Sequence, residues 1–314
     1  MATFLIRRLA ASLVTAILAS IVVFLLVRAV PGDIVAQMLG QAGDDPRTAA
    51  SLRAFFGLDR PVHVQYLDWL GSALTGDLGT SWNQGRPVAG IVLQAFAVTL
   101  ELGLLTLLVA TLVGVPLGLL AGVYEGRWPD HLVQAVNVTG LAAPVFWVGL
   151  MLLIGASAWF RWSPPIMYRG PTQDLAQNLE ILFLPIVSLG ILQAVAYSQF
   201  VRQSVVSAMG RDYVRLAIAK GLPMRTVVFK HVLRNILIPL VTFMGLILIQ
   251  ILGGVVVIES LFALPGLGRL LLTSIQNRDF PIVQGGLLLV VAMALLVNLV
   301  VDLLYTWVDP RMRR

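Results

Sequence analysis

The sequence predicts an all-α integral membrane protein with six transmembrane helices, and three observations carry that prediction. Only 12% of the 314 residues are charged and 58% are hydrophobic, whereas a soluble domain carries about 25% charged residues. The charges leave six long uncharged windows: Arg8 to Arg28, Glu101 to Glu125, Asp130 to Arg161, Glu180 to Arg202, Arg234 to Glu259, and Asp279 to Asp302. Each matches the roughly 20 apolar residues that cross a bilayer core as a helix. The windows are apolar on every face, while barrel strands alternate polarity over about ten residues, so strands are not expected.

In chain order the helices are expected at about 9–30, 99–124, 132–160, 181–203, 236–258 and 281–307, within one transmembrane domain over 1–314. The first is read as a retained helix. Its apolar stretch exceeds the roughly 7–15 residues of a signal peptide's core, and no small-x-small cleavage site follows it. The segment 31–98 is expected outside the cell and amphipathic. Pro46 to Phe56 reads as a helix stopped by Gly57, and Pro61 opens a second at its first position. In that second helix Val64, Leu67, Trp69 and Leu70 face an apolar neighbour, with Gln65 and Asp68 left to water. The turn-rich GDLGTSWNQGRPV follows.

Arginine and lysine placement sets the topology. With the N-terminus inside, thirteen of the 22 cations fall on inner segments. Both termini are therefore expected in the cytoplasm. Seven of the thirteen flank or lie in one inner loop, 204–235: Arg202, Arg211, Arg215, Lys220, Arg225, Lys230 and Arg234. Anionic lipid headgroups account for part of this charge.

Pro116, Pro144, Pro185 and Pro239 lie in or at the ends of apolar windows, as static kinks or as flexing points. Glu101, Glu259 and Asp302 sit at window ends, which points to interface placement or an intersubunit hydrogen bond rather than a proton relay. Trp159, Trp162 and Tyr168 read as an aromatic belt or the lining of an outer entrance. The chain has no Cys, and His63, His131 and His231 show no ligand spacing. No metal site and no catalytic grouping is expected. The net charge of +6 belongs to the loops and does not imply nucleic acid.

The inner loop has the form of a docking device. Asp212 is placed to accept from the first turn of a short helix that runs to about Lys220, with Val214, Ala217 and Ile218 as a narrow apolar stripe. Gly221 fits the left-handed position that ends a helix. Pro223 starts a second run, Met224 to Asn235, that leads into the fifth membrane helix. Ala217 would permit close approach to a groove on another protein. An interfacial helix on anionic lipid satisfies the same charges.

From Asp212 to Pro239 the chain resembles the cytoplasmic loop of ATP-binding-cassette importer permeases. Their general motif is Glu-Ala-Ala, three residues, Gly; only its second Ala (Ala217) and its Gly (Gly221) occur here. The stretch DYVRLAIAKG, then HVLRN at His231 to Asn235, then Pro239, is similar to the dipeptide, oligopeptide and nickel branch. Other landmarks of that branch run along the chain: VPGD from Val30, GLDRPVHVQYLDWL from Gly57, GDLGTSW from Gly76, GRPV from Gly85, TLELG from Thr99, ESLFALPGLG from Glu259, DLLY from Asp302 and the terminal DPR.

The resemblance implies an inner-membrane subunit in a bacterium or archaeon. Its partners would be a second related permease, two cytoplasmic ATPases and an extracytoplasmic solute-binding protein. ATP and Mg would be held on the ATPases, in line with the lack of any GxxxxGK[ST] phosphate loop in this chain. Asp212, Arg215, Ala217, Lys220, Gly221, Pro223, His231, Arg234 and Asn235 would couple to an ATPase, and Pro239 would act as a hinge. The solute would be a peptide or related small molecule, with a nickel chelate or glutathione as alternatives within the family. A channel or secondary carrier working without ATP is the alternative from another class. No substrate-contacting residue is singled out.

Overall fold

The computed structural model describes residues 2–29, 50 and 59–308. In chain order the helices are α1 (Ala2–Ala29), α2 (Val62–Leu74), α3 (Val88–Val123), α4 (Trp128–Ala142), α5 (Val145–Phe160), α6 (Leu175–Met209), α7 (Asp212–Ala219), α8 (Leu233–Gly254), α9 (Val256–Leu261), α10 (Leu267–Gln276) and α11 (Phe280–Val308). A helical turn, Met224–Thr226, and a π turn, Val227–Val232, lead directly into α8. Among the described residues there is no strand, only an isolated antiparallel bridge between Thr80 and Pro87.

Among the described residues, five stretches are long and apolar enough to cross a membrane: Ile6–Ala29, Val88–Val123, Leu175–Met209, Met224–Gly253 and Phe280–Leu304. The sixth expected span, 132–160, is two helices, α4 and α5, bent by 98°. The bend falls where Pro144 caps α5, because a proline disfavours helical backbone in the residue before it. Pro116, Pro185 and Pro239 instead lie inside continuous helices.

Two helices start well before the windows that predicted them. Residues 88–98 extend α3 backwards from Glu101. That charge is no boundary, because its carboxylate accepts from Tyr168 Oη at 2.6 Å. α6 starts at Leu175, where Asp174 caps it by accepting from Gln177 N at 3.1 Å.

The chain divides into two compact units, one of residues 95–269 with 296–314, the other of 2–94 with 270–295. In the first, α3 and α6 run parallel with almost no space between them. A Cβ on Gly114 would sit 2.5 Å from Ala194 O, one on Gly118 2.6 Å from Ser198 O, and one on Gly122 2.6 Å from Val205 Cβ. This small-residue ladder lets two backbones touch in a membrane setting, where close van der Waals packing drives helix association. Around it lies a core that includes Leu102, Leu182, Tyr197, Val201, Val214, Val232 and Ile258.

In the second unit α2 lies on α1. Tyr66 Oη and Ser20 Oγ are 2.8 Å apart, Phe24 meets the Tyr66 ring edge-on, and Arg28 bonds to Gln65. Gln65 is thus a contact residue and Leu67 is exposed, the reverse of the sequence reading. The contact stripe runs through Gln65, Tyr66 and Trp69, which share one helical face. Of the expected helix from Pro46 to Phe56, all but Ala50 lies outside the described residues, as does VPGD.

Candidate functional site: the α7 loop

α7 is a short helix held between the end of α6 and the start of α8. Arg211 is its N-cap and supplies no side-chain capping bond; Asp212 lies in the first turn. The Asp212 carboxylate stands 3.9 Å from Arg215 with both side chains exposed. Its contribution is therefore a favourable charge near the helix N-terminus, not the cap expected from sequence.

The other end closes as the sequence predicts. Gly221 has φ +75°. Its N–H donates to Ile218 O at 2.9 Å, and Leu222 N donates to Ala217 O at 3.3 Å, the paired bonds of a Schellman motif. Pro223 then caps the next turn, with Thr226 N and Val227 N donating to its carbonyl. The π turn at Val227–Val232 buries Val227, Val228 and Val232 together and carries the chain into α8 without a free joint.

Val214 and Ala217 are the buried residues of α7. They belong to the chain's own core, so Ala217 is small to let α7 lie against its own bundle, not a partner. Ile218, assigned to the same stripe, is exposed, as are Tyr213, Leu216, Leu222 and Met224. Lys220 and Arg234 are also exposed, and His231 is half-buried. Asn235 donates to His231 O at 2.7 Å.

Asn235 and Pro239 meet Arg211, one of the loop cations, and residues that sequence reasoning did not single out. With Gln203, Ser204, Ser207, Arg211 and Tyr213 they line a mixed polar and apolar groove of about 530 Å³ beside α7. The remaining expected residues, Asp212, Arg215, Ala217, Lys220, Gly221, Pro223, His231 and Arg234, stand outside it.

Beneath this loop is a buried ion pair. Arg202 meets Asp130 through two bonds, 2.6 and 2.7 Å long, and Gly126 N donates to the same carboxylate at 2.9 Å. Arg202 is thus committed to the chain itself and not to headgroups. The signal available in the sequence was a lone acid, Asp130, at the edge of an apolar window.

At the opposite end of α3, two sequence landmarks form one structure. Glu259, fully buried, accepts from Thr99 Oγ1 at 2.5 Å and from Arg269 N at 2.9 Å. Leu267 N donates to Thr99 Oγ1 at 2.8 Å. TLELG and ESLFALPGLG are therefore one clasp inside the chain, which corrects the expected intersubunit bond. Burial pushes the Glu259 carboxyl up from its usual range, against the bonds from Thr99, Arg269 and Gly268. Nearby, Glu101, Tyr168 and Asn178 share hydrogen bonds. Burial and Glu101 push the Tyr168 phenol up, so Tyr168 is a hydrogen-bond donor here and Trp162 donates to Glu180 at 3.0 Å. Trp159 is exposed.

In the second unit, Asp279 accepts from Ser81 Oγ at 2.5 Å and from Trp82 N and Asn83 N at 3.3 Å. The GDLGTSW loop is thereby fastened to the turn before α11.

Apolar helices long enough to cross a bilayer, with a short loop packed against their own core at one end, define a multi-pass membrane protein. The family described as "Binding-protein-dependent transport system inner membrane component" matches residues 114–314, and its N-terminal companion matches 1–103. The chain belongs to this family and is an inner-membrane transport subunit. It is 37% identical over 336 residues to the dipeptide transport system permease protein DppB of Escherichia coli strain K12, covering 100% of this chain and 99% of that one. It is also 37% identical over 313 residues to the glutathione transport system permease protein GsiC of Salmonella typhimurium strain LT2, with the same coverage. A crystal structure of an amino acid ABC transporter with histidines aligns over 71% of this chain and 94% of that one, with TM-score 0.49 and 15% identity.

Proposed function

We propose that this chain is the permease subunit of an ATP-driven importer for small peptides, with α7 as the element an ATPase moves. One observation carries the mechanical part: α7 is closed at Gly221 and followed, after the tight turn through Pro223, by an unbroken helical run from Met224 into the spanning helix α8. Switching a gate from 1:99 to 99:1 takes about 5.5 kcal/mol of differential binding. A frayed loop would dissipate that; a closed helix packed on its own core transmits it. The docking surface is the exposed face around Tyr213, Leu216, Lys220 and Leu222, with Ala217 and Val214 anchoring α7 from behind.

In this reading both termini and α7 are cytoplasmic, two ATPases supply ATP and Mg, a second permease completes the passage, and a solute-binding protein delivers cargo on the far side. Pro239, inside α8 and lining the groove, is the point where α8 flexes. The two relatives handle a dipeptide and glutathione by name, and both solutes are short peptides. That supports a peptide over a nickel chelate.

The test is uptake into proteoliposomes holding the complete transporter, with labelled dialanine and labelled glutathione offered separately. ATP-dependent accumulation of either supports the reading. Accumulation without ATP or ATPases would replace it with an autonomous carrier. Leu216→Glu is expected to abolish ATP-driven uptake while the permease still assembles in the membrane.

A further inference from the structure

Three observations converge on the hairpin after α9. First, Glu259 is buried beneath it, and its carboxylate occupies the space where side chains would otherwise be: a Cβ on Gly266 would stand 2.1 Å from Oε1, and one on Gly268 3.1 Å from Oε2. Gly266 is thus shaped around the acid, and Gly268, at the start of α10, around Val256 and the acid together. Second, Ala263 at the tip has φ +55°, a left-handed conformation that costs a non-glycine residue energy and that persists where surrounding contacts impose it. Those contacts are Ala263 N to Ser260 O at 3.3 Å and Leu264 N to Glu259 O at 2.8 Å. Third, the tip is the wall of something. Leu261, Phe262 and Ala263 line a cleft of about 540 Å³ whose other side includes Ser157, Ser163 and Ile166.

We propose that Glu259 is a positioning residue: with Thr99 it fixes the Phe262–Ala263 tip as a rigid wall of this cleft, at the end of the bundle remote from α7, and transport depends on that wall being held. A buried carboxylate that only filled space would be replaceable by an apolar residue. This one gathers donors from α3, through Thr99, and from the start of α10, through Arg269, so that three chain segments share one anchor. The cleft lining carries no charged side chain, so the wall works by shape. The inference rests on the family's transport role and not on which solute is carried.

The chain has no cysteine, which allows a direct readout. Spin labels at Phe262→Cys and Ile166→Cys report the width of the cleft by pulsed electron paramagnetic resonance, in the complete transporter. The wild-type background is expected to give one narrow distance distribution, and Glu259→Gln, which keeps the shape and can accept from Arg269 N with its oxygen while its amide donates to Thr99 Oγ1, to match it with uptake within about twofold. Glu259→Ala is expected to broaden the distribution and lower uptake at least tenfold at unchanged permease level. Thr99→Val, the milder variant, should broaden it less. A narrow distribution in both Glu259→Ala and Thr99→Val, or full uptake in either with a broadened one, overturns the proposal. Failure of both to assemble, with no broadening in any variant that does, makes Glu259 a folding element only and overturns it as well. If the wild type carries no peptide, the distance measurement still decides the clasp while the peptide assignment fails by itself.

Discussion

Asp130 and Arg202 are the residues where a single atom exchange should be felt most. The acid is buried and accepts three hydrogen bonds, two from Arg202 and one from Gly126 N. Breaking a buried pair by removing one partner costs about 3–5 kcal/mol, because the other charge is stranded. Asp130→Asn is therefore expected to lower the thermal midpoint of the detergent-solubilised transporter sharply, and Asp130→Asn with Arg202→Met to recover part of the loss. A pair that contributed nothing would leave all three proteins melting together. Glu259 gives a prediction in pH. Burial raises its carboxyl in the folded chain, so the folded state releases its proton at a higher pH than the unfolded chain, whose value is about 4.3. The stability linked to it is complete below that value and is lost as pH rises through the raised folded value. As pH rises above about 4 the wild type should lose thermal stability relative to Glu259→Gln; parallel curves would mean that the acid is not raised. The sequence showed both residues as acids at window edges. Their partners lie 72 and 160 positions away, and charge spacing along a chain carries no information about such pairings.

At the scale of helices, the ladder of Gly114, Gly118 and Gly122 makes a sharper claim than apolar composition does. A Cβ on Gly118 would meet Ser198 O at 2.6 Å, whereas one on Gly90 of the same helix meets nothing within 4 Å. Gly118→Ala should cost about 1–3 kcal/mol as an overpacked contact, and Gly90→Ala should gain about 0.5–1 kcal/mol from restricting the unfolded chain. Melting of the two variants side by side decides it, since equal shifts would refute the close approach. The elements themselves were largely legible. Charge-free windows located the spans, and Gly221 followed by Pro223 located the end of α7, because a left-handed glycine is a local requirement. The orientation of α7 was not legible. A stripe of small and apolar residues is the same pattern whether it meets lipid, a partner or the chain's own core, and Ala217 turned out to meet the core. Pro144 was marked as a kink, but the size of the break between α4 and α5 was not legible, because hydropathy measures apolar content and is blind to direction.

For the molecule as a whole the distribution of Arg and Lys supports the proposed orientation, with the termini and α7 in the cytoplasm. Thirteen of 22 cations lie at the termini, in the turn before α4 and in or beside the α7 loop, and such bias orients helices during insertion. With Lys220→Cys as the only thiol, an impermeant maleimide should label inverted vesicles and not spheroplasts; Arg60→Cys should show the opposite. Labelling of Lys220→Cys from outside the cell would invert the topology and remove α7 from any cytoplasmic partner.

The glycine ladder has a mechanical consequence. Two helices whose backbones touch along several turns, and which are tied again near the other end through Glu101 and Asn178, resist bending as a single beam does, far more than two separate rods. A push delivered next to α7 then has nowhere to be absorbed along the beam's length, about 30 Å for some 20 residues at 1.5 Å each. Under the proposed coupling, displacement at one face of the membrane would be delivered to the other with little loss, and the compliance that transport requires would lie off this axis.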